Sequence, residues 1–184
     1  IKTMQVGGVQ VTGAATLAAN STITTTSNNG IVSFSSTIDG AKEFDIVSAG
    51  SGAVTISGNI GNSTALTTLD INRTGGTGAI TLSGNIGQTG GTAGAGATFI
   101  GNDATSSTLS LDGAMYSTAA ATYEANTISF GKTSSTTVTA SNAIAFNDAA
   151  VTLEAGTNLT VTTTGNNGAV TFEGLIDSAD STNK

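Results

Sequence analysis

Short runs in which apolar and polar residues alternate recur along the whole chain. Each run is bounded by Gly, Asn, Asp or Ser, as in Phe-Asp-Ile at 44–46, Leu-Asp-Ile at 69–71 and Ile-Ser-Phe at 128–130. An alternation of period two is typical of β-strands, and the bounding residues are those that turns favour. No stretch keeps a helical period. The pattern therefore predicts an all-β protein built from short strands.

Longer phrases repeat as well. Four stretches share the order turn, glycine, one further residue (Ala in three of the four), apolar, Ser or Thr, apolar, with an isoleucine four residues later; they are 28–39, 50–61, 76–87 and 166–177. Gly52 follows Gly30 by 22 residues, and Gly78 follows Gly52 by 26. One such unit cannot bury its apolar side alone, but stacked copies build a continuous core. The repeats therefore indicate a stacked architecture.

The predicted fold is a right-handed parallel β-helix, or β-solenoid, of about seven or eight short coils. Residues 1–184 would form a single domain, with coils about 4.8 Å apart and each strand paired above and below. Thr55 and Ser57 are expected to point outward. The alternative is a β-sandwich of short antiparallel strands, in which turns recur at a similar spacing. The predicted core columns hold Val54, Ile56, Ile80, Leu82, Val170 and Phe172.

One phrase of the repeat resembles the degenerate repeats of large bacterial surface proteins. It reads Gly-Ala-Val-Thr-Ile-Ser-Gly-Asn-Ile at 52–60 and recurs at 78–86 and, more loosely, at 168–176. These include filamentous-haemagglutinin-like adhesins, autotransporter passenger domains and surface-layer proteins. The resemblance covers most of the chain and rests on composition and period. It implies a parallel β-helix, an extracellular location and a structural or adhesive role. Since residue 1 is Ile, we expect a processed chain or part of a longer repetitive surface protein.

Composition narrows the possible functions. The 184 residues include no His, Cys, Pro or Trp, and the formal net charge is −7. Without His and Cys the chain lacks the usual zinc and thiol ligands and both Ser–His and Cys–His catalysis. Nucleic acid is not an expected partner, since the basic residues are few and scattered. No apolar run approaches the roughly 18–20 residues of a membrane helix, so no membrane span is expected.

Acidic residues are the candidates for a metal site. Carboxylates and turn carbonyls are the ligands that calcium prefers, although the same residues serve as solvated charges on many rods. The candidate calcium ligands are Asp39, Glu43, Asp45, Glu173, Asp177 and Asp180. No other cofactor is expected. Glycosidases need two carboxylates at a defined separation, and no pair is expected on neighbouring coils, so the chain is predicted not to be an enzyme.

Open strand edges suggest self-association, because an unblocked edge can pair with another chain. The stretch from Met4 to Val11 carries no charge and is predicted to add to a neighbour's edge. The predicted function is a non-enzymatic structural module of a prokaryotic cell-surface protein, acting as a fibre, spacer or surface-layer lattice element. The candidate assembly residues are Met4, Gln5, Val6, Val9 and Val11.

Two alternative functions remain open at this stage. One is an adhesin module that binds a glycan or another cell through a shallow Thr/Asn face. The other is an ice-binding β-solenoid, for which flat Thr arrays would be needed. Thr-rich runs occur at 22–26, 136–139 and 160–164, but they are not expected to recur coil after coil. Thr is also simply a good strand former.

Overall fold

The computed structural model describes residues 2–5, 7–26, 29–88, 92–102, 108–131, 135–147, 150–165 and 167–178. Within these ranges the chain forms twenty β-strands and no helix. The strands are β1 (Lys2–Gln5), β2 (Gly8–Val11), β3 (Ala15–Thr16), β4 (Ser21–Thr25), β5 (Ile31–Phe34), β6 (Ile38–Asp39), β7 (Glu43–Val47), β8 (Val54–Ile56), β9 (Leu66–Ile71), β10 (Ile80–Leu82), β11 (Ala95–Gly101), β12 (Thr108–Leu111), β13 (Met115–Glu124), β14 (Thr127–Phe130), β15 (Ser135–Ala140), β16 (Ile144–Asn147), β17 (Ala150–Leu153), β18 (Asn158–Thr163), β19 (Val170–Phe172) and β20 (Ile176–Ser178).

The strands lie on three sides of a parallel β-solenoid of about seven turns. Face A holds β1, β4, β7, β9, β11, the later part of β13, β16 and β19. Face B holds β2, β5, β8, β10, β12, β14, β17 and β20. Face C holds β3, β6, the bridging residues Ile60 and Ile86, the start of β13, β15 and β18. All pairings of these strands are parallel, which confirms the solenoid over the antiparallel sandwich.

The core is built from columns of apolar side chains that stack from coil to coil. On face B, Val54 pairs with Ile80, and Ile56 pairs with Leu82. All four side chains are at most 1% exposed, whereas the intervening Thr55 is half-buried and Ser57 is exposed. The strand register predicted at these positions is therefore confirmed. One whole column of face B runs through Val9, Val32, Val54, Ile80, Leu109, Ile128, Val151 and Ile176.

The fourth copy of the repeated phrase does not join the face B columns. Its strand β19 lies on face A, where Val170 pairs with Ile144 and Phe172 pairs with Phe146. Val170 is 40% exposed because β19 belongs to the last described coil. The placement predicted for Val170 and Phe172 is therefore wrong. An apolar–polar–apolar run fits either face, and only its position relative to the corners selects one.

Corners between faces are built from small residues in close contact. At the corner between faces B and C, Gly58 lies against Ser36, and Gly84 lies against Gly58. A Cβ at either glycine would meet the backbone carbonyl of the neighbouring coil. At the corner between faces A and B, the buried Asn72 takes a left-handed φ of 55°, which Asn tolerates better than most residues. Its Oδ1 accepts a 2.8 Å hydrogen bond from the Ser48 N–H.

Candidate functional site

Two of the candidate calcium ligands have structural partners of their own. Asp39 Oδ1 accepts hydrogen bonds from the N–H groups of Ser63 (2.7 Å) and Thr64 (3.1 Å), and so holds the turn that follows Ile60. Asn20 donates through Nδ2 to Glu43 Oε2 at 2.8 Å. The Glu43 N–H donates back to Asn20 Oδ1 at 3.2 Å. Both carboxylates therefore tie one coil to the next.

Asp45 has a second carboxylate beside it. Asp45 and Asp70 are partners in the pairing of β7 with β9, so they occupy the same position on neighbouring coils. Burial of the Asp45 carboxyl, and then the nearby Asp70 carboxylate, raise the pKa of Asp45 above its ordinary value of 3.8. The expectation that no acidic pair lies on neighbouring coils is therefore wrong. The signal was present in the sequence, since Phe-Asp-Ile at 44–46 and Leu-Asp-Ile at 69–71 are equivalent triplets.

Arg73 completes this group on face A. Its Nη1 lies 3.4 Å from Asp70 Oδ2, and its guanidinium carbon lies 3.7 Å from the centre of the Phe99 ring. Phe99 is the pairing partner of Asp70 on the next coil, so the two residues occupy equivalent positions on face A. The arginine therefore neutralises one carboxylate and covers the aromatic ring. That arrangement stabilises the surface of face A and leaves the ring face occupied by a protein side chain.

The remaining acidic candidates lie at the C-terminal end of the described chain. The Glu173 N–H donates to the Phe146 carbonyl at 3.0 Å. Asp177 is exposed on β20 and accepts a 2.8 Å bond from the Ser178 N–H. Asp180 lies outside the described residues. In the described ranges, no group of three or more Asp or Glu is close enough to hold a metal ion.

The candidate assembly residues form the first coil of the solenoid. Met4 and Gln5 belong to β1, which pairs with β4, and Val9 and Val11 belong to β2, which pairs with β5. Val6 lies outside the described residues. Each of these strands is thus bonded along one edge to the chain's own second coil. Any further pairing would use the opposite edge rather than an unpaired arm.

An open apolar cavity of about 260 Å³ lies at the first coil. Val9, Val11 and Leu17 line it from the first coil, and Ile23, Phe34 and Phe44 line it from the next two. Phe34 and Phe44 meet edge to face, with ring centres 5.5 Å apart. The core is therefore less filled at this end than along the middle coils, where the column residues are at most 1% exposed.

Apolar side chains are exposed at the opposite end. Leu175 is 82% exposed and Ile176 is 53% exposed, and both lie at or beside β20. In the middle coils the equivalents of Ile176 are covered by the next coil, as Ile80 is by Leu109. Exposed apolar groups that adjoin a core are favourable places for association. The C-terminal coil thus leaves Ile176, a core-column residue, without a following neighbour among the described residues, whereas Leu175 occupies the outward position that the exposed Ala150 holds on the previous coil.

Face B also carries an outward row of hydroxyl groups. The register aligns six Ser and Thr residues, one per coil, between the Gln10 and Asp177 positions. This hydroxyl row consists of Ser33, Thr55, Thr81, Ser110, Ser129 and Thr152. On face C, Thr137 and Thr139 pair with Thr160 and Thr162. Thr-x-Thr pairs thus stack over two coils on face C, whereas face B carries a single row of mixed Ser and Thr that the Thr-rich runs of the sequence do not indicate.

No described segment forms a helix able to span a membrane. No family model matches the chain, and no match was found among the curated proteins or the solved structures. The function is therefore inferred from the geometry of the fold. What that geometry establishes is a parallel β-solenoid with one long hydroxyl row and two apolar ends.

Proposed function

We propose that this chain is a non-enzymatic structural module, a stiff spacer or lattice element that associates through its strand edges. The observation that carries the proposal is the unbroken eight-stranded parallel ladder of face B. Each coil is held to the next by backbone hydrogen bonds and apolar columns, and neither depends on charged side chains. Only 9% of the residues are charged. The rod should therefore keep its shape when salt concentration or pH changes.

The proposed location is the surface of a prokaryotic cell. The sequence supports this through the resemblance of the repeated phrase at 52–60 and 78–86 to bacterial surface proteins. The structure adds support in that the repeated phrases stack as coils. Backbone pairing without disulfides suits a module that has no Cys and works outside the cell. A filamentous or surface-layer protein built from such modules would be stiff along its whole length.

Distance measurements between spin labels test the stiffness directly. Because the chain has no Cys, labels can be attached at Thr12→Cys in the first coil and Thr162→Cys in β18, both of which are exposed. Labelled protein diluted in an excess of unlabelled protein should give one narrow distance distribution at low and at high salt. The same sample in urea provides the control for a flexible chain. A broad distribution under native conditions would contradict a stiff spacer.

A glycan array separates the structural module from an adhesin. The structural proposal expects no glycan to bind in a manner that free sugar competes away. Clear and competable binding would instead support the adhesin. Phe99 has an outward-facing aromatic ring on face A, and the Arg73 guanidinium covers that ring. A sugar therefore has no exposed ring face at Phe99 on which to stack.

The hydroxyl row favours ice binding as a second candidate function. Its groups repeat about every 4.8 Å along a rigid sheet, since this is the spacing of paired strands. Thr81→Tyr would interrupt the row at its centre, and Thr139→Tyr on face C is the matched control. Thermal hysteresis that is present in the wild type and lost only in Thr81→Tyr would support this function. No hysteresis in the wild type would exclude it.

A further inference from the structure

We infer that the two ends of the solenoid are complementary and that a second copy of this chain stacks on the first head to tail. The inference rests on the proposed structural role and names the partner, the strands and the polarity. In this arrangement, β1 and β2 of one copy pair with β19 and β20 of another. The stack continues the parallel ladders of faces A and B across the junction.

The register of face B defines how the copies meet. The inner column that begins at Val9 passes without a slip to Ile176. Within the described chain, Val9 has a neighbour only above it and Ile176 only below it. Placing Ile176 of one copy against Val9 of the next gives both residues the contacts that Ile80 receives from Val54 and Leu109. Burial of Ile176, now 53% exposed, would stabilise the junction.

Face A gives the same alignment independently. Its inner column runs from Ile23 to Phe172 through Ile46, Ile71, Ile100, Tyr123 and Phe146, and the backbone of Thr3 in β1 pairs with Ile23. Continuing this column sets β1 of one copy beside β19 of the other. Every pairing inside the chain is parallel. Only a head-to-tail stack keeps both junctions parallel, since a head-to-head contact would reverse the strands.

The shapes of the two ends also correspond. The first coil holds the apolar cavity of about 260 Å³ lined by Val9, Val11 and Leu17. The last described coil exposes core-column side chains at Val170 and Ile176. A closed junction would cover both surfaces with each other. Covering the apolar side chains that line this open cavity would favour the stack.

The charges of the two ends do not oppose the same junction. Lys2 is the one charged residue before Asp39 in the sequence, so the first coil carries no acidic residue. Glu173 and Asp177 are the charged residues of the segment 167–178, and both are acidic. Continuing the outward row of face B puts the exposed Gln10 of one copy opposite the exposed Asp177 of the next. A charge introduced at position 10 should therefore act directly on the junction.

Charge changes at these two exposed positions test the proposal without altering the core. Sedimentation velocity over a range of concentrations should show linear oligomers of the wild-type chain. Gln10→Glu should weaken association at least about tenfold, because it sets two like charges opposite each other. Gln10→Lys should strengthen it. The double variant Gln10→Glu with Asp177→Lys should restore association, a rescue that a general loss of folding does not predict.

Ile176→Lys gives a second test, with Ile31→Lys as its matched control. The two isoleucines are 53% and 52% exposed, but Ile31 occupies an outward position of β5, one coil in from the end, and its strand is already paired on both edges. Only Ile176→Lys should produce monomers. Equal effects of the two changes would indicate lateral association and overturn the proposal. A wild-type chain that stays monomeric at all concentrations would also overturn it. A narrow distribution of spin-label distances in that monomer would still support the stiff spacer.

Discussion

Asp45 and Asp70 are direct partners across neighbouring strands of face A. Adjacent strands lie about 4.8 Å apart, so two acidic side chains are stacked on the same side of the sheet. Arg73 reaches Asp70, with 3.4 Å between Nη1 and Oδ2. Asp45 has no such contact with Arg73 among the described ion pairs. The relationship makes ionisation of Asp45 less favourable in the folded chain than in the unfolded chain.

Replacing Asp45 by Asn should stabilise the protein at neutral pH. Burial and the Asp70 carboxylate raise the pKa of Asp45 above 3.8 in the folded state. The folded chain therefore holds this proton more tightly than the unfolded chain does. The free energy of unfolding should rise as the pH falls through the folded-state pKa towards the unfolded value of about 3.9. Urea unfolding of both proteins at a series of pH values measures the difference.

The matched control is Asp70→Asn, which removes the neighbouring charge but leaves Asp45 partly buried. Its pH dependence should lie between those of the wild type and Asp45→Asn. Because Asp45 is only partly buried, solvent screens the repulsion and the effect should be modest. Identical pH profiles for wild type and Asp45→Asn would show that the acidic pair does not influence stability.

Removing the hydroxyl group should have opposite consequences at the two tyrosines. Tyr116 is buried; its hydroxyl donates to the Leu82 carbonyl at 2.9 Å and accepts from the Gly113 N–H at 2.7 Å. Tyr116→Phe leaves both backbone groups without this partner and should cost about 1–3 kcal/mol. The Tyr123 hydroxyl is buried without a hydrogen-bond partner in the described part of the chain, so Tyr123→Phe should be neutral or stabilising. Thermal unfolding measures the two changes. A larger loss of melting temperature for Tyr123→Phe than for Tyr116→Phe would contradict the prediction.

The solenoid was predictable from the sequence because its coils repeat recognisable phrases. Val54 with Ile80, and Ile56 with Leu82, occupy equivalent places in the phrase and stack as expected. Phe172 occupies the same place in the phrase but lies on face A beside Phe146. The local pattern defines which side chains point inward on a strand. It does not define which of the three faces the strand joins, because that depends on the lengths of all preceding corners.

The surface features needed the register as well as the pattern. Asp45 and Asp70 stand in similar triplets, but their contact follows only from the pairing of β7 with β9. The hydroxyl row was missed for the same reason, since Ser33 and Thr152 belong to strands that share no phrase. Tyr116 reaches Leu82 through a corner between two faces. No short pattern in the sequence reports such a contact.

Side chains at adjacent positions of β10 should respond very differently to truncation. Ile80 is 1% exposed and packs in the face B core, whereas Thr81 points outward. Ile80→Ala should destabilise the protein by about 2–5 kcal/mol, because it leaves a cavity between Val54 and Leu109. Thr81→Ala should cost less than about 1 kcal/mol, since it changes only strand propensity at the surface. Denaturant unfolding measures the free energy of unfolding of both variants. A larger loss for Thr81→Ala than for Ile80→Ala would mean that the strand register is wrong by one residue.

Adding one methyl group should be harmful at Gly84 and harmless at Gly13. An alanine Cβ at position 84 would lie against the backbone carbonyl of Gly58 and near the Asn59 nitrogen, both of which belong to the neighbouring coil. Backbone atoms at a stacked corner cannot move away without separating the coils, so Gly84→Ala should cost about 1–3 kcal/mol or more. No atom lies within 4 Å of a Cβ at Gly13, and its φ is outside the left-handed region. Gly13→Ala should therefore stabilise the protein by about 0.4–1 kcal/mol through the unfolded state. The melting temperatures of the two variants give the comparison. Equal changes in melting temperature would mean that the corner between faces B and C is not closely packed.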